Sequence, residues 1–210
     1  MGYEALANAV IKGNIDQAKE QTQKAINDGV DAQNILDEGL IAAMDVVGDK
    51  FAKGAMFVPQ MLRSAKTMQE CVTVLKPHFQ GGGMTAKGKV ILGTVKGDLH
   101  DIGKNLVAMM LEGAGFDIID LGTDVSPAQF VEAIQEHRAD LVGMSALLTT
   151  TMPSMRLTID AIQKAGLRDA IKIMVGGAPV TQRFSDDIGA DVYAPDAPSA
   201  VREAKEALNA

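Results

Sequence analysis

The chain has 210 residues, 47% apolar and 22% charged, the composition of a globular protein with one large or two small domains. Its 20 Lys and Arg against 27 Asp and Glu leave a net charge of −7, most of it after residue 88, so nucleic acid and anionic membrane are not expected partners. No apolar run reaches the roughly 20 residues of a membrane helix, no leader pattern opens the sequence, and the single cysteine, Cys71, excludes an internal disulfide framework, so a cytoplasmic location is expected.

Apolar residues in the first part recur at helical spacing. A helix is expected over about residues 3–12, and a second follows Asn14, with Gln17 at the capping-box position. Asp31 is placed to cap a third, whose stripe is Leu36, Leu40, Met44, Val47 and Phe51. The fourth carries Val58, Met61, Leu62, Ala65, Met68, Val72, Leu75 and Phe79. Four helices with short connections predict an all-α N-terminal helical bundle over residues 1–80. Residues 81–87, GGGMTAK, read as a glycine-rich linker.

From residue 88 to 210 the period changes. Short β-rich runs at 89–95, 116–121, 140–146, 171–177 and 191–194 alternate with helical patterns near 103–114, 126–138, 153–165, 179–188 and 197–208. Ser126, Pro127 and Gln129 supply a cap, a first-turn proline and a capping-box glutamine. The alternation predicts an α/β domain: an open, parallel, five-stranded, Rossmann-like or flavodoxin-like sheet with helices on both faces. Ligands of such sheets sit beyond the strand carboxyl ends.

The loop after the first run is VKGDLHDIGKN, residues 95–105. Its polar residues permit two readings. Asp98 or Asp101 caps the following helix and His100 is incidentally exposed, or His100 is a metal ligand whose second ring nitrogen is held by Asp98. A hydrolytic zinc site usually needs three protein ligands. The other histidines, His78 and His137, sit at helix ends, so one histidine fits better with a metal that a macrocycle already holds. Gly103 would then admit a bulky planar ligand at the helix start. Ser145, Thr149, Thr150 and Thr151 follow the third run, and Thr151 is also placed to cap the helix before Pro153. Gly176 and Gly177 end the fourth run, either as a tight turn or as a close approach to a ligand. Cys71 reads as structural, and Lys104 and Asn105 as solvated first-turn residues.

Asp98-Leu99-His100-Asp101-Ile102-Gly103 resembles the DxHxxG motif of cobalamin-binding domains, with the loop from Ser145 and the pair Gly176-Gly177 similar to the second and third motifs. Residues 48–68 are similar to the helical cap of the cobalamin-binding region of methionine synthase. The whole chain resembles the corrinoid proteins of anaerobic methyltransferase systems. The resemblance implies a cobalamin or related corrinoid, cycling between methylcobalamin and cob(I)alamin. His100 would be its lower axial cobalt ligand, replacing the cofactor's dimethylbenzimidazole, with Asp98 hydrogen-bonded to His100 and Thr151 continuing the relay. Leu99, Asp101, Ile102, Gly103, Ser145, Leu147, Thr149, Gly176 and Gly177 would line the cofactor and its tail, and Phe51, Met56 and Val58 would cover the upper face. Residues 192–200 are expected at the rim of the site.

That resemblance also implies partners: a substrate-specific methyltransferase that loads the methyl group, a second one that passes it to tetrahydrofolate or a thiol, and a reductive activating protein. The chain itself would be the carrier. The alternative is the small cobalamin-binding subunit of an adenosylcobalamin-dependent mutase, for which residues 1–80 have no evident use. A cobalamin-dependent regulator would need a DNA-binding or signalling segment, and a flavodoxin-like module without cobalamin would leave the helical part unexplained.

Overall fold

The computed structural model describes residues 3–79 and 86–208, which divide near residue 86 into two compact units. The glycine-rich connection lies largely outside the described residues.

The first unit is helical: α1 (Glu4–Ile11), α2 (Ile15–Asn27), α3 (Ala32–Asn34), α4 (Ala42–Ala52) and α5 (Val58–Leu75). Asn14 caps α2 by accepting from the Gln17 amide at 3.2 Å, and Asp31 caps α3 by accepting from Gln33 and Asn34 at 2.9 and 3.3 Å. A π-helical stretch, Ile35–Ile41, joins α3 to α4 as one continuous run. Its wider winding gathers Ile35, Leu36, Leu40 and Ile41 on a narrower arc than an α-helix would, and all four are buried. On α5 the stripe residues Met61, Ala65, Met68 and Leu75 are buried, Leu62 and Val72 are half-buried, and Val58 at its head is exposed; Cys71, outside the stripe, is buried as well. α5 also completes the end of α1. Ser64 Oγ donates to the Ile11 carbonyl at 3.1 Å, and Arg63 Nε donates to the Gly13 carbonyl at 3.1 Å.

The second unit is a five-stranded parallel sheet: β1 (Lys89–Thr94), β2 (Asp117–Asp120), β3 (Leu141–Ser145), β4 (Lys172–Gly176) and β5 (Val192–Ala194), in the order β2-β1-β3-β4-β5. The intervening helices are α6 (Ile102–Gly113), α7 (Pro127–His137), α8 (Pro153–Lys164) and α9 (Gln182–Ile188), and α10 (Ala197–Leu208) closes the order. β1, β3 and β4 are buried along nearly their whole length, as strands covered on both faces must be. Ile91, Val142, Ile173 and Val175 pack in one cluster with Phe130 of α7 and with Met155, Ile159 and Ile162 of α8. β1 pairs with β2 on one side and β3 on the other, so the strand order reverses between β1 and β3. A crevice beyond the carboxyl ends at that reversal is where such sheets take their ligands.

Three local expectations change. α9 begins at Gln182 rather than at Pro179, because Thr181 Oγ1 accepts from the Phe184 amide at 3.2 Å and so sets the helix start. Thr151 does not cap α8; Met152 holds that position without a side-chain bond. Lys104 is not solvated: its side chain is 3% exposed, and its ammonium pairs with Asp120 at the end of β2 and donates to Asn105 Oδ1 at 2.7 Å. A cation in the first turn of α6 opposes the helix dipole. The Asp120 carboxylate supplies the compensation. Among the described residues, no helix is long and apolar enough to cross a membrane.

Candidate functional site

The loops after β1 and β3 meet at Asp98. This aspartate is fully buried, a placement a carboxylate tolerates only when its oxygens are bonded. Oδ1 accepts from the backbone amide of His100 at 3.1 Å and lies 2.7 Å from His100 Nδ1. Oδ2 accepts from the Leu147 amide at 2.8 Å, the Leu148 amide at 3.4 Å and the Thr151 hydroxyl at 2.7 Å. Burial pushes the Asp98 carboxyl up, but the bonds from Leu147, Thr151 and His100 outweigh it and hold the group well below the usual carboxylate range. Asp98 is therefore ionised and accepts only. It follows that the hydrogen between them lies on His100 Nδ1, and Nε2 is the ring nitrogen left for a ligand.

The loop is fastened at other points. Thr94 Oγ1, buried at the end of β1, donates to the His100 carbonyl at 2.8 Å. Sequence reasoning missed this threonine, whose only signal is a hydroxyl at the carboxyl end of a buried strand. The His100 ring itself is half exposed, at 51%. Leu99 and Ile102 beside it are 74% and 86% exposed, and Leu147 and Leu148 are also exposed. Leu99, Ile102 at the start of α6, Leu147 and Leu148 together leave a large apolar surface to solvent, the kind that binds a partner or a ligand. Asp101 and Gly103 are exposed as well, and a Cβ on Gly103 would meet nothing within 4 Å.

Ser145 ends β3 half-buried, while Thr149 and Thr150 are exposed. Gly176 and Gly177 end β4, and the Ala146 amide donates to the Gly176 carbonyl at 3.3 Å. Both glycines have reasons within the fold itself. A Cβ on Gly176 would stand 2.7 Å from the Ala194 carbonyl oxygen, and one on Gly177, at φ +123°, would stand 1.9 Å from that of Ala146. Asp196, in the segment expected at the rim, accepts from the Ser199 amide at 2.8 Å and thereby starts α10. The structure thus brings Asp98, His100, Leu147, Thr151 and the glycine pair to one edge of one sheet.

The helical-unit candidates are placed differently. Phe51 is half-buried at the end of α4, Met56 is buried, and Val58 is exposed at the head of α5. Phe57, which the sequence reading did not single out, is 70% exposed. His78 is exposed and His137 closes α7. Among the described residues, no three His, Cys, Asp or Glu side chains form a group able to hold a metal ion. A metal at His100 would need its remaining ligands from a cofactor.

Two families, each described as a B12 binding domain, match the chain, over residues 88–205 and over 3–76. Dimethylamine corrinoid protein 1 of Methanosarcina acetivorans is 43% identical over 206 residues, covering 98% of this chain and 96% of its own. The chain belongs to the corrinoid protein family. A corrinoid protein of Desulfitobacterium hafniense is 41% identical, covering 98% of this chain and 96% of its own. Among solved structures, the methanol:cobalamin methyltransferase complex from Methanosarcina barkeri matches with a TM-score of 0.90 at 31% identity, over 99% of this chain and 79% of that one. A cobalamin-binding protein from Desulfitobacterium hafniense matches with a TM-score of 0.81 at 32% identity, over 98% of each chain.

The residues present fit a corrinoid. The imidazole of the corrinoid protein offers one pinned nitrogen donor, its surroundings are apolar and exposed, and the start of α6 is open at Gly103. Gly103 separates cofactor contact from folding. Gly103→Ala is expected to leave thermal unfolding of the apoprotein unchanged or slightly raised, since alanine is the better helix former by about 1 kcal/mol. It should weaken corrinoid retention, measured by equilibrium dialysis. Unchanged retention would remove Gly103 from the cofactor surface.

Proposed function

We propose that this corrinoid protein binds its cofactor with His100 Nε2 on the cobalt, the cofactor's own base displaced, and carries a methyl group between two methyltransferases. The observation that supports this most is the pinned imidazole: Nδ1 held at 2.7 Å by a buried carboxylate, Nε2 left for a ligand, on a half-exposed ring. When bound, the corrin supplies a cobalt centre that accepts a methyl group from one partner's substrate and yields it to another's.

The chain's own residues govern the donor nitrogen. The Nδ1–H bond to Asp98 fixes the tautomer and orients the ring. The Nε2 lone pair would serve either the cobalt or a proton, and a proton there would face the negative charge on Asp98. Ligand release and proton uptake at Nε2 are thereby coupled. Thr151 donates to Asp98 Oδ2 and continues the hydrogen-bonded chain. Leu99, Ile102 and Leu147 would contact the macrocycle. Ser145, Thr149 and the Gly176-Gly177 turn would meet its tail. For the helical unit we propose apolar cover of the cofactor through Phe51, Met56 and Val58, which would keep water from the reacting face.

The proposed partners are a substrate-specific methyltransferase for a small methylated amine or alcohol, the range in the relatives' names, and a second methyltransferase using tetrahydrofolate or a thiol. A reductive activating protein would restore the cobalt after adventitious oxidation. The test is reconstitution of the apoprotein with hydroxocobalamin, gel filtration and a visible spectrum, beside His100→Ala. Retained cobalamin with a spectrum that changes in the variant is expected; a protein that elutes colourless contradicts the reading. Strong preference for adenosylcobalamin over methylcobalamin would instead favour a mutase subunit.

A further inference from the structure

The loop that carries His100 is gripped from a second side, by a residue outside all three recognised motifs. Asp124, in the connection between β2 and α7, contacts three consecutive residues ahead of His100. Its Oδ2 lies 2.9 Å from Lys96 Nζ, its Oδ1 accepts from the Gly97 amide at 2.8 Å, and its own amide donates to the Asp98 carbonyl at 2.9 Å. Asp124 makes these contacts from the left-handed region, φ 56°, opposite a Gly97 at φ 87°. Aspartate is one of the few non-glycine residues that adopt this region readily, and the three bonds hold it there. A Cβ on Gly97 would find only ordinary contact, 3.7 Å from Thr151 Cγ2, so the glycine serves the backbone turn rather than space.

We propose that Asp124 is a positioning residue of the axial ligand: it locks the backbone of residues 96–98, so that the Asp98 carboxylate arrives where it can hold His100 Nδ1. This rests on His100 as the cobalt ligand. Thr151, Leu147 and Leu148 fix the Asp98 carboxylate from the β3 side, while Asp124 fixes its backbone from the β2 side. The two supports are distinct, since the bonds of Asp124 go to Lys96, Gly97 and the Asp98 carbonyl rather than to the Asp98 carboxylate or the imidazole. With a 2.7 Å bond at stake, a shift of the Asp98 backbone by a fraction of an ångström changes the hold on the ring.

The experiment uses Asp124→Gly, which keeps the backbone turn without strain and removes the carboxylate, and Asp124→Asn, which keeps an acceptor for Gly97 and tolerates φ > 0. In the apoprotein, amide hydrogen exchange at Gly97 and His100 is read by NMR, with the tautomer of the His100 ring from its nitrogen shifts. In the hydroxocobalamin-loaded protein, the visible spectrum reads the ratio of imidazole-bound to unbound cobalt. Asp124→Gly is expected to speed exchange at both amides, mix the ring tautomers and lower that ratio on the order of tenfold, with Asp124→Asn between it and the parent. Faster exchange at Gly97 alone, with the His100 amide, tautomer and spectrum unchanged, overturns the proposal. A parent protein without an imidazole-bound spectrum would sink the ligand assignment instead, and the apoprotein measurements would still decide what Asp124 does to His100.

Discussion

Replacing Asp98 with asparagine is expected to damage both the fold and the ligand, although the change is nearly isosteric. Both carboxylate oxygens accept, Oδ1 from the backbone amide and Nδ1 of His100 and Oδ2 from Leu147, Leu148 and Thr151. An amide has one oxygen and one NH2. With the NH2 toward Oδ2's partners, it faces the Leu147 amide, which cannot turn away. With the NH2 toward Oδ1's partners, it faces the His100 backbone amide, which cannot turn away either, and the ring, where only moving the proton from Nδ1 to Nε2 relieves the clash. That tautomer offers the cobalt no lone pair. The expected loss of apoprotein stability at pH 7 is about 2–4 kcal/mol by urea unfolding, and the loss of imidazole-bound cobalamin about 10–100-fold.

The pH dependence gives this expectation a sign. The Asp98 carboxyl lies below its ordinary range in the folded protein, held there by hydrogen bonds that exceed the effect of burial. Its contribution is therefore fully present above the unfolded value, about pH 4, and is lost as pH falls through the lower folded value. The stability gap between parent and Asp98→Asn should be widest near neutrality and should narrow as the pH falls below about 4. A gap that stays constant as the pH falls well below about 4 would mean that Asp98 is not the ionised centre of the network.

Gly177→Ala is expected to be the most severe single substitution in the sheet unit. The alanine methyl would lie 1.9 Å from the Ala146 carbonyl oxygen and 2.9 Å from its carbon, and the residue sits at φ +123°. Both obstacles are backbone, so no side-chain rotation relieves them. The β3 and β4 ends must separate, or the unit must not fold, which puts the cost above about 4 kcal/mol. Gly176→Ala meets one carbonyl oxygen, Ala194, at 2.7 Å in the three-residue edge strand β5, which has more freedom to move. It should cost less, about 2 kcal/mol. Thermal unfolding followed by circular dichroism checks the order. A Gly177→Ala protein as stable as its parent would show that the strand ends are not packed as described.

The contact between Asp98 and His100 in the loop after β1 was legible in the sequence because it depends on residue type and spacing. A histidine two residues from an aspartate places the two side chains within reach on a short loop. The strand and helix runs were legible through their periods, and Ser126 caps α7 with Gln129 as those residue types require. Distances across the fold were not legible. From the residues alone Thr151 reads as the cap of α8, and only the family resemblance puts it beside Asp98, where its hydroxyl lies once β1 and β3 stand side by side. Lys104 reads as solvated until α6 lays it against Asp120. The π-helical turn at Ile35–Ile41 leaves no mark in a search for period 3.6. Gly176 and Gly177 read either as a tight turn or as room for a ligand, and the clash that a side chain would cause with neighbouring strand ends is a further reason that the sequence does not display.

The central claim is that His100 supplies the axial nitrogen. It is tested most directly by electron paramagnetic resonance of the Co(II) form of the reconstituted protein, grown with 15N-histidine and loaded with unlabelled cobalamin. An axial 14N splits the high-field cobalt lines into triplets and an axial 15N into doublets. Doublets are expected in the labelled protein, triplets in the unlabelled one, and neither pattern from a protein nitrogen in His100→Ala. Triplets that persist in the labelled protein would mean that the cofactor's own base still holds the cobalt, and would contradict the account.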